Sequence, residues 1–281
     1  MASKQTKFVT PEEAAGAVRS GDWVDYGFGA GFPELVDRAL AARKGQVKDV
    51  KVRGGLVIRP RIEIVEQDPE RESFSYYSWH IGDYERKLQK RGLVTFLPVV
   101  LRSLPYLYRD GHIRCDVAVV PVSRPDGEGY CGLGISNYAW RTIFESARTV
   151  IFEINEHYPC LQGVDGSHRV HLSEADFVVE GVHESLPQRS YREPSATDME
   201  IARRVVELIP DGAVLSLGVG RALYRGQNAG PVGQEGPGLP HRHHQRPVSG
   251  ALQGGQADQR PEGAGRRSVR LEPGHGQPGA V

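Results

Sequence analysis

Glycines mark the places where this chain could do chemistry. Leu217-Gly218-Val219-Gly220 follows the apolar run that begins at Ala213. Glycines behind a buried strand let backbone N–H groups come close to a phosphate or a thioester carbonyl. A GxG pattern is equally consistent with a tight turn. Gly27-Phe28-Gly29-Ala30-Gly31-Phe32-Pro33 has the same layout, with a strand before it and a helix N-terminus that favours an anion after it. A close strand–helix connection explains this loop equally well. His80, in Ser78-Trp79-His80, has the side chain of a general base, but a packed, hydrogen-bonded histidine is the expected reading. Asp126-Gly127-Glu128-Gly129-Tyr130 reads first as a turn. Glu153 and Glu156 resemble a carboxylate pair near a strand end and are read as surface or cap charges. His241, His243 and His244 sit in a Gly/Pro-rich stretch, and no metal site is assigned to them. The sequence contains no nucleophile elbow, Walker loop, HExxH or CxxC. The three cysteines, Cys115, Cys131 and Cys160, are odd in number and widely spaced. They match neither a disulfide framework nor a zinc pattern, and at least one is expected to be a small buried residue.

The elements that must carry these residues alternate between strand and helix. Thr10-Pro11-Glu12-Glu13 combines an N-cap, a first-turn proline and a capping-box acid, and the helix it starts is expected to end near Ser20. Strands are expected over 23–26, 49–53, 73–78, 94–97, 117–122, 149–154, 177–180 and 213–217, with Gly54-Gly55 interrupting the second. The unbroken apolar run Val117 to Val122 predicts a strand buried on both faces. Leu35, Val36, Ala39 and Leu40 predict a helix, and Tyr84 to Lys90 another that stops at Gly92. Thr197 to Glu200 is a second capping-box start. This alternation predicts an α/β fold with a largely parallel sheet flanked by helices. Glu184 to Ala196 reads as a linker between two α/β units.

The composition changes after Gly220. Residues 221–281 contain no Ile, Phe, Trp, Met, Cys, Lys or Thr. Their eight arginines against four acidic residues give +4, which leaves −4 on residues 1–220 because the whole chain sums to zero. A tail rich in Gly, Pro and Arg cannot offset its ordering entropy and is expected to be disordered. Re-reading it one base out of register with GC-rich codons permits K-A-G-K-L-T-N-G-R-K-A-L-D over Gln253 to Gly265. The same shift permits L-G-Y-H-T-D-I-T-S-D-L over Pro237 to Pro247, so an out-of-frame tail is expected ahead of a natural one. Three segments follow: an α/β domain over 1–190, the start of a second over 191–220, and a non-native tail over 221–281. Neutral total charge gives no reason to expect a nucleic-acid partner. No signal peptide or membrane-length apolar run is visible, and a reduced, cytoplasmic location is the default expectation.

An ordered set of segments resembles the acetyl-CoA hydrolase/transferase family, and within it the butyryl-CoA:acetate and 4-hydroxybutyrate CoA-transferases. The set comprises S-G-D-W-V-D-Y-G at Ser20 to Gly27, K-V-R-G-G at Lys51 to Gly55 and S-W-H-I-G-D-Y-E-R-K-L at Ser78 to Leu88. It continues with C-D-V-A-V-V-P-V-S at Cys115 to Ser123, D-G-E-G-Y at Asp126 to Tyr130 and A-R-T-V-I-F-E-I-N-E at Ala147 to Glu156. V-V-E-G at Val178 to Gly181 and I-P-D-G-A-V-L-S-L-G-V-G at Ile209 to Gly220 complete it. The resemblance implies two similar α/β domains and transfer of coenzyme A between carboxylic acids through a glutamyl-CoA thioester. It implies that Gly218, Val219 and Gly220 contact coenzyme A. The thioester is a substrate, and no permanently bound cofactor is expected. Expected partners are an acyl-CoA and a short-chain carboxylate, and the parent is expected to be a homo-oligomer. The family's H-T-E-type segment, with its nucleophilic glutamate, corresponds to about Pro240 to His244. No glutamate stands there, and the shifted decoding allows Asp, Gly, Ala or Val. The chain is therefore expected to be inactive by itself. An acyl-CoA hydrolase of the same fold and a noncatalytic binding module with a basic tail are the alternatives.

Overall fold

The computed structural model describes residues 6–58, 61–134, 137–161, 163, 166–187 and 195–209. Two compact units divide the chain, Met1–Tyr191 and Arg192–Val281. The strands of the first unit are β1 (Lys7–Val9), β2 (Trp23–Phe28), β3 (Val50–Gly55), β4 (Phe74–Ser78), β5 (Val94–Phe96), β6 (Val117–Val122), β7 (Tyr130–Gly132), β8 (Thr149–Ile154), β9 (Arg169–His171) and β10 (Phe177–Glu180). Its helices are α1 (Pro11–Ala15), α2 (Leu35–Ala41), α3 (Glu63–Glu66), α4 (Asp83–Lys90), α5 (Leu104–Arg109) and α6 (Trp140–Ser146).

Eight strands form one sheet in the order β1-β10-β8-β6-β2-β3-β4-β5. Every pairing in it is parallel. Strands β7 and β9 form a separate antiparallel pair. The expected α/β class and largely parallel sheet are what the chain adopts. Both sheet faces are covered, as the continuous apolar strands require. Along β6, Val117 and Val119 enter one apolar cluster, while Ala118, Val120 and Val122 enter the other. From β2 the chain winds outward through β3, β4 and β5, then returns to β6 and winds the other way. The switch point lies between β2 and β6. In open parallel sheets the crevice outside the carboxyl ends of such strands is where ligands bind.

Several local expectations need correction. Gly54 and Gly55 lie within β3 instead of interrupting it. A Cβ on Gly54 would stand 2.7 Å from the Tyr76 hydroxyl, and one on Gly55 2.9 Å from the Phe28 ring, so packing demands glycine at both. Helix α1 ends at Ala15, well before Ser20, and irregular turns carry the chain on. In the second unit, the described helix α7 spans Ala196–Val206 with Ser195 as N-cap, two residues ahead of the expected Thr197. Asp198 completes the capping box, because its carboxyl accepts the Ser195 N–H at 3.0 Å. The expected strand at 213–217 and the tail from 221 lie outside the described residues.

Among the described residues Gly27 is the least replaceable glycine. An added Cβ would fall 1.4 Å from the Gly31 carbonyl oxygen, a backbone atom that cannot swing aside. Gly27→Ala is expected to destabilise the unit by about 2–3 kcal/mol through forced loop displacement. A urea midpoint unchanged from that of the parent chain would contradict this tight closure.

Candidate functional site

A parallel sheet places all its carboxyl ends on one edge, so the loops after β2, β3, β4, β6, β8 and β10 share that edge. At the switch point the glycine loop 27–33 turns the chain from β2 into α2. Gly29 adopts φ 63°, and its N–H donates to the Gly55 carbonyl at 2.9 Å, which ties the loop to the end of β3. The first turn of α2 does receive an anion, and the anion is internal. Glu153 on β8 accepts the N–H groups of Glu34 at 2.6 Å, Leu35 at 3.1 Å and Val36 at 2.9 Å. This carboxylate satisfies donors that a helix start otherwise leaves open and sits at the positive end of its dipole. The close strand–helix connection is therefore the reading the geometry favours, since Glu153 already occupies the anion position.

Glu153 also meets the His183 Nε2 at 3.2 Å. The other ring nitrogen of His183 lies 2.8 Å from Glu156 Oε2, and the His183 backbone N–H donates to Glu156 Oε1 at 2.9 Å. The ring is completely buried between the two carboxyl groups. Its burial works against a positive charge, but the hydrogen bonds and charges of Glu153 and Glu156 outweigh that and raise its pKa above the ordinary histidine value. The His183 backbone N–H, aided by the imidazole, lowers Glu156 to about 2. Of the expected surface or cap charges, Glu153 is a cap but a buried one, whereas Glu156 caps no described helix and binds His183. Beside them opens a cleft lined by Arg124, Pro125, Ile154, Glu156, Glu180 and Gly181, at the carboxyl ends of β6, β8 and β10.

Three more buried charged groups, Asp25, Arg53 and Glu85, tie the strands together. Asp25 on β2 pairs in register with Arg53 on β3. Arg53 donates from Nε to Asp25 Oδ1 at 2.6 Å and from Nη2 to Oδ2 at 2.7 Å, a bidentate fork. Nη2 also donates to the Arg114 carbonyl, and the Tyr108 hydroxyl donates to Asp25 at 3.0 Å. The guanidinium lies 4.6 Å from the Trp23 ring centroid, 5.5 Å from Tyr108 and 5.7 Å from Trp79. Burial opposes its charge, and Asp25 more than compensates, raising its pKa further. Glu85, on α4, is fully buried and accepts the Val57 N–H at 3.0 Å and the Gly82 N–H at 2.9 Å. The Ser78 hydroxyl donates to Glu85 at 2.5 Å. One carboxyl therefore holds the exits of β3 and β4 together.

The other candidates fall in different places. His80 is exposed, not packed, with its ring edge-on to Phe28 at 5.9 Å. It borders a shallow groove with Trp79, Ile81, Arg86, Gln89 and Phe96. Asp126 makes the expected turn, accepting the N–H groups of Glu128 and Tyr130 at 2.9 Å each. Cys115 and Cys131 are buried, as expected of at least one thiol, and Cys160 is exposed. Gly218, Val219 and Gly220 lie outside the described residues, as do His241, His243 and His244. Among the described residues no helix is long and apolar enough to cross a membrane. Asp25, Arg53, Glu85 and His183 had no place among the sequence candidates. The signal for the first two was a charge set inside an apolar strand, in Trp23-Val24-Asp25-Tyr26 and Val50-Lys51-Val52-Arg53.

The first unit is thus a doubly wound parallel sheet whose carboxyl edge is clamped by the buried carboxylates of Glu153 and Glu85. Residues 2–187 match the acetyl-CoA hydrolase/transferase N-terminal domain, and the chain belongs to that family. It is 36% identical over 219 residues to a butyryl-CoA:acetate CoA-transferase of Anaerostipes caccae, covering 77% of this chain and 48% of that protein. It is 33% identical over 217 residues to a probable butyrate:acetyl-CoA coenzyme A-transferase of Syntrophomonas wolfei, with 77% and 48% covered. Among solved structures, RipA from Yersinia pestis superposes with a TM-score of 0.68 at 29% identity, covering 79% of this chain and 53% of that one. The chain thus spans about half the length of the curated relatives it matches.

Proposed function

We propose that the first unit is the N-terminal half of a coenzyme A transferase that moves coenzyme A between a short-chain acyl-CoA and a carboxylate such as acetate. The observation that carries this reading is the 36% identity to a butyryl-CoA:acetate CoA-transferase over 77% of the chain. In the intact parent a glutamate attacks the acyl-CoA, and a glutamyl-CoA thioester passes coenzyme A to the acceptor acid. Splitting the exchange into two steps is what covalent catalysis contributes. Gly218, Val219 and Gly220 are the proposed coenzyme A contacts. The thioester is a substrate, and the parent is a cytoplasmic homo-oligomer without a permanently bound cofactor. The domain of residues 1–190 supplies the carboxyl-edge scaffold, and residues 191–220 begin the second domain.

On this reading residues 221–281 are out of frame and the nucleophilic glutamate is lost, so the 281-residue chain does not turn over. Sequencing the coding DNA from codon 210 past codon 300 tests the frame. The expected result is a shifted frame that stays open and family-like beyond Gly220. Stops in that frame, with ordinary codon usage in the translated one, would make the tail genuine and favour a binding module.

A further inference from the structure

Past β10 the chain runs along the surface and turns inward at one polar residue. Residues 181–187 form neither helix nor strand, and the apolar side chain of Val182 is 88% exposed. Its polar neighbour His183 is the buried residue of the segment. Among the described residues, the hydrogen bonds of residues 182–187 all run through His183. Its backbone N–H and Nδ1 reach Glu156, and its Nε2 reaches Glu153. An imidazole thus anchors the segment, in the place where an apolar side chain is the ordinary means.

Hydrogen-bond counting fixes the charge of that ring. A neutral imidazole has one N–H and one bare nitrogen. Here each ring nitrogen faces a carboxyl oxygen, Glu156 Oε2 at 2.8 Å and Glu153 Oε1 at 3.2 Å. Glu153 accepts three backbone N–H groups spread over both its oxygens, so it is ionised and has no proton to give a bare nitrogen. Glu156 already accepts the His183 backbone N–H, and its side chain keeps 20% exposure to water, which favours the carboxylate. Only a ring with a donor on both nitrogens satisfies the pair. We propose that His183 is a fixed imidazolium that latches the exit of β10 to the exit of β8 and, through Glu153, to the start of α2, and that loss of one ring proton opens the latch. A neutral ring sets a lone pair against one carboxylate, and neither buried partner can then be satisfied. Glu156, Glu180 and Gly181 are walls of the neighbouring cleft, so the cleft changes shape as the latch opens.

The titratable and charged groups around the latch, among the described residues, are Glu153 and Glu156 at the ring, His157 with Nε2 3.6 Å from Glu156, Tyr26 beside Glu153, and Arg124 and Glu180 along the cleft. Burial works against the ring's charge, yet the two glutamates hold it above the ordinary histidine value. The closed latch therefore binds the proton more tightly than the open one. It is firmest below the ordinary value and loosens by at most about tenfold per pH unit above it. Loosening stops once the buried ring has lost its proton.

The test is NMR of the His183 ring nitrogens and backbone amide in the full chain from pH 5 to 9, with the urea-unfolded chain as reference. The expected result is hydrogen on both ring nitrogens at pH 7, with one lost at a higher pH than in the unfolded chain. Protection of the His183 amide, corrected for the intrinsic exchange rate, is expected to fall over the same range by up to about tenfold per pH unit. A bare ring nitrogen at pH 7 overturns the proposal, and so does amide protection that stays constant while the ring titrates. Glu156→Gln removes one of the two charges, and the ring's transition is expected to move to lower pH. A transition that stays in place in this variant overturns the latch.

Discussion

Glu153→Ala is expected to destabilise the first unit by about 3–5 kcal/mol, the range for removing one partner from a buried charged network. The substitution strands three backbone donors, on Glu34, Leu35 and Val36, at the start of α2. Each buried donor left unsatisfied costs about 1–3 kcal/mol. It also removes one of the two carboxyl groups that enclose the His183 ring. Glu153→Gln distinguishes cap from filler. Both carboxyl oxygens accept N–H groups, Oε1 from Glu34 and Oε2 from Leu35 and Val36, so an amide nitrogen in either position would face a donor. Glutamine should therefore recover less than half of the loss despite its matching volume. Urea midpoints with unchanged slopes would measure both effects. Full recovery by glutamine would show that Glu153 fills space and does not cap the helix.

Arg53→Ala is expected to have an effect of similar size, again about 3–5 kcal/mol, because it leaves Asp25 buried without its cation. Asp25 would keep the Tyr108 hydroxyl at 3.0 Å and lose both legs of the guanidinium fork. The aromatic surround of Trp23, Trp79 and Tyr108 would lose its packed centre as well. Lysine is a poor substitute, since an ammonium cannot bridge two carboxylate oxygens and reach the Arg114 carbonyl at once. Arg53→Lys should thus sit closer to alanine than to the parent chain in a thermal melt. The double substitution Asp25→Asn with Arg53→Ala should cost less than the two single losses added together, because the stranded charge disappears. Strict additivity of the two would contradict a direct interaction.

The sequence carried the sheet more clearly than the clamps. Val117 to Val122 and Thr149 to Ile154 were readable as buried strands because continuous apolar character needs both faces covered. The short strands β1, β7 and β9 were not, although β5, just as short, was. At the candidate site, type and role came apart. Glu153 was legible as a cap, but its partner α2 begins far away in sequence, and nothing local reveals such a contact. His183 gave no signal at all, because its role depends on β8 and β10 lying side by side. The family-like segments explain themselves in space. Trp23, Asp25, Arg53 and Trp79 come from three of them and meet around one buried ion pair.

The proposed function makes the first unit half of a coenzyme A transferase. Its most direct test is coenzyme A transfer from butyryl-CoA to acetate, measured side by side for the 281-residue chain and for the protein continued in the shifted frame beyond Gly220. The continued protein is expected to form acetyl-CoA and the 281-residue chain none. Transfer by the 281-residue chain alone, or its absence from the continued protein, would contradict it.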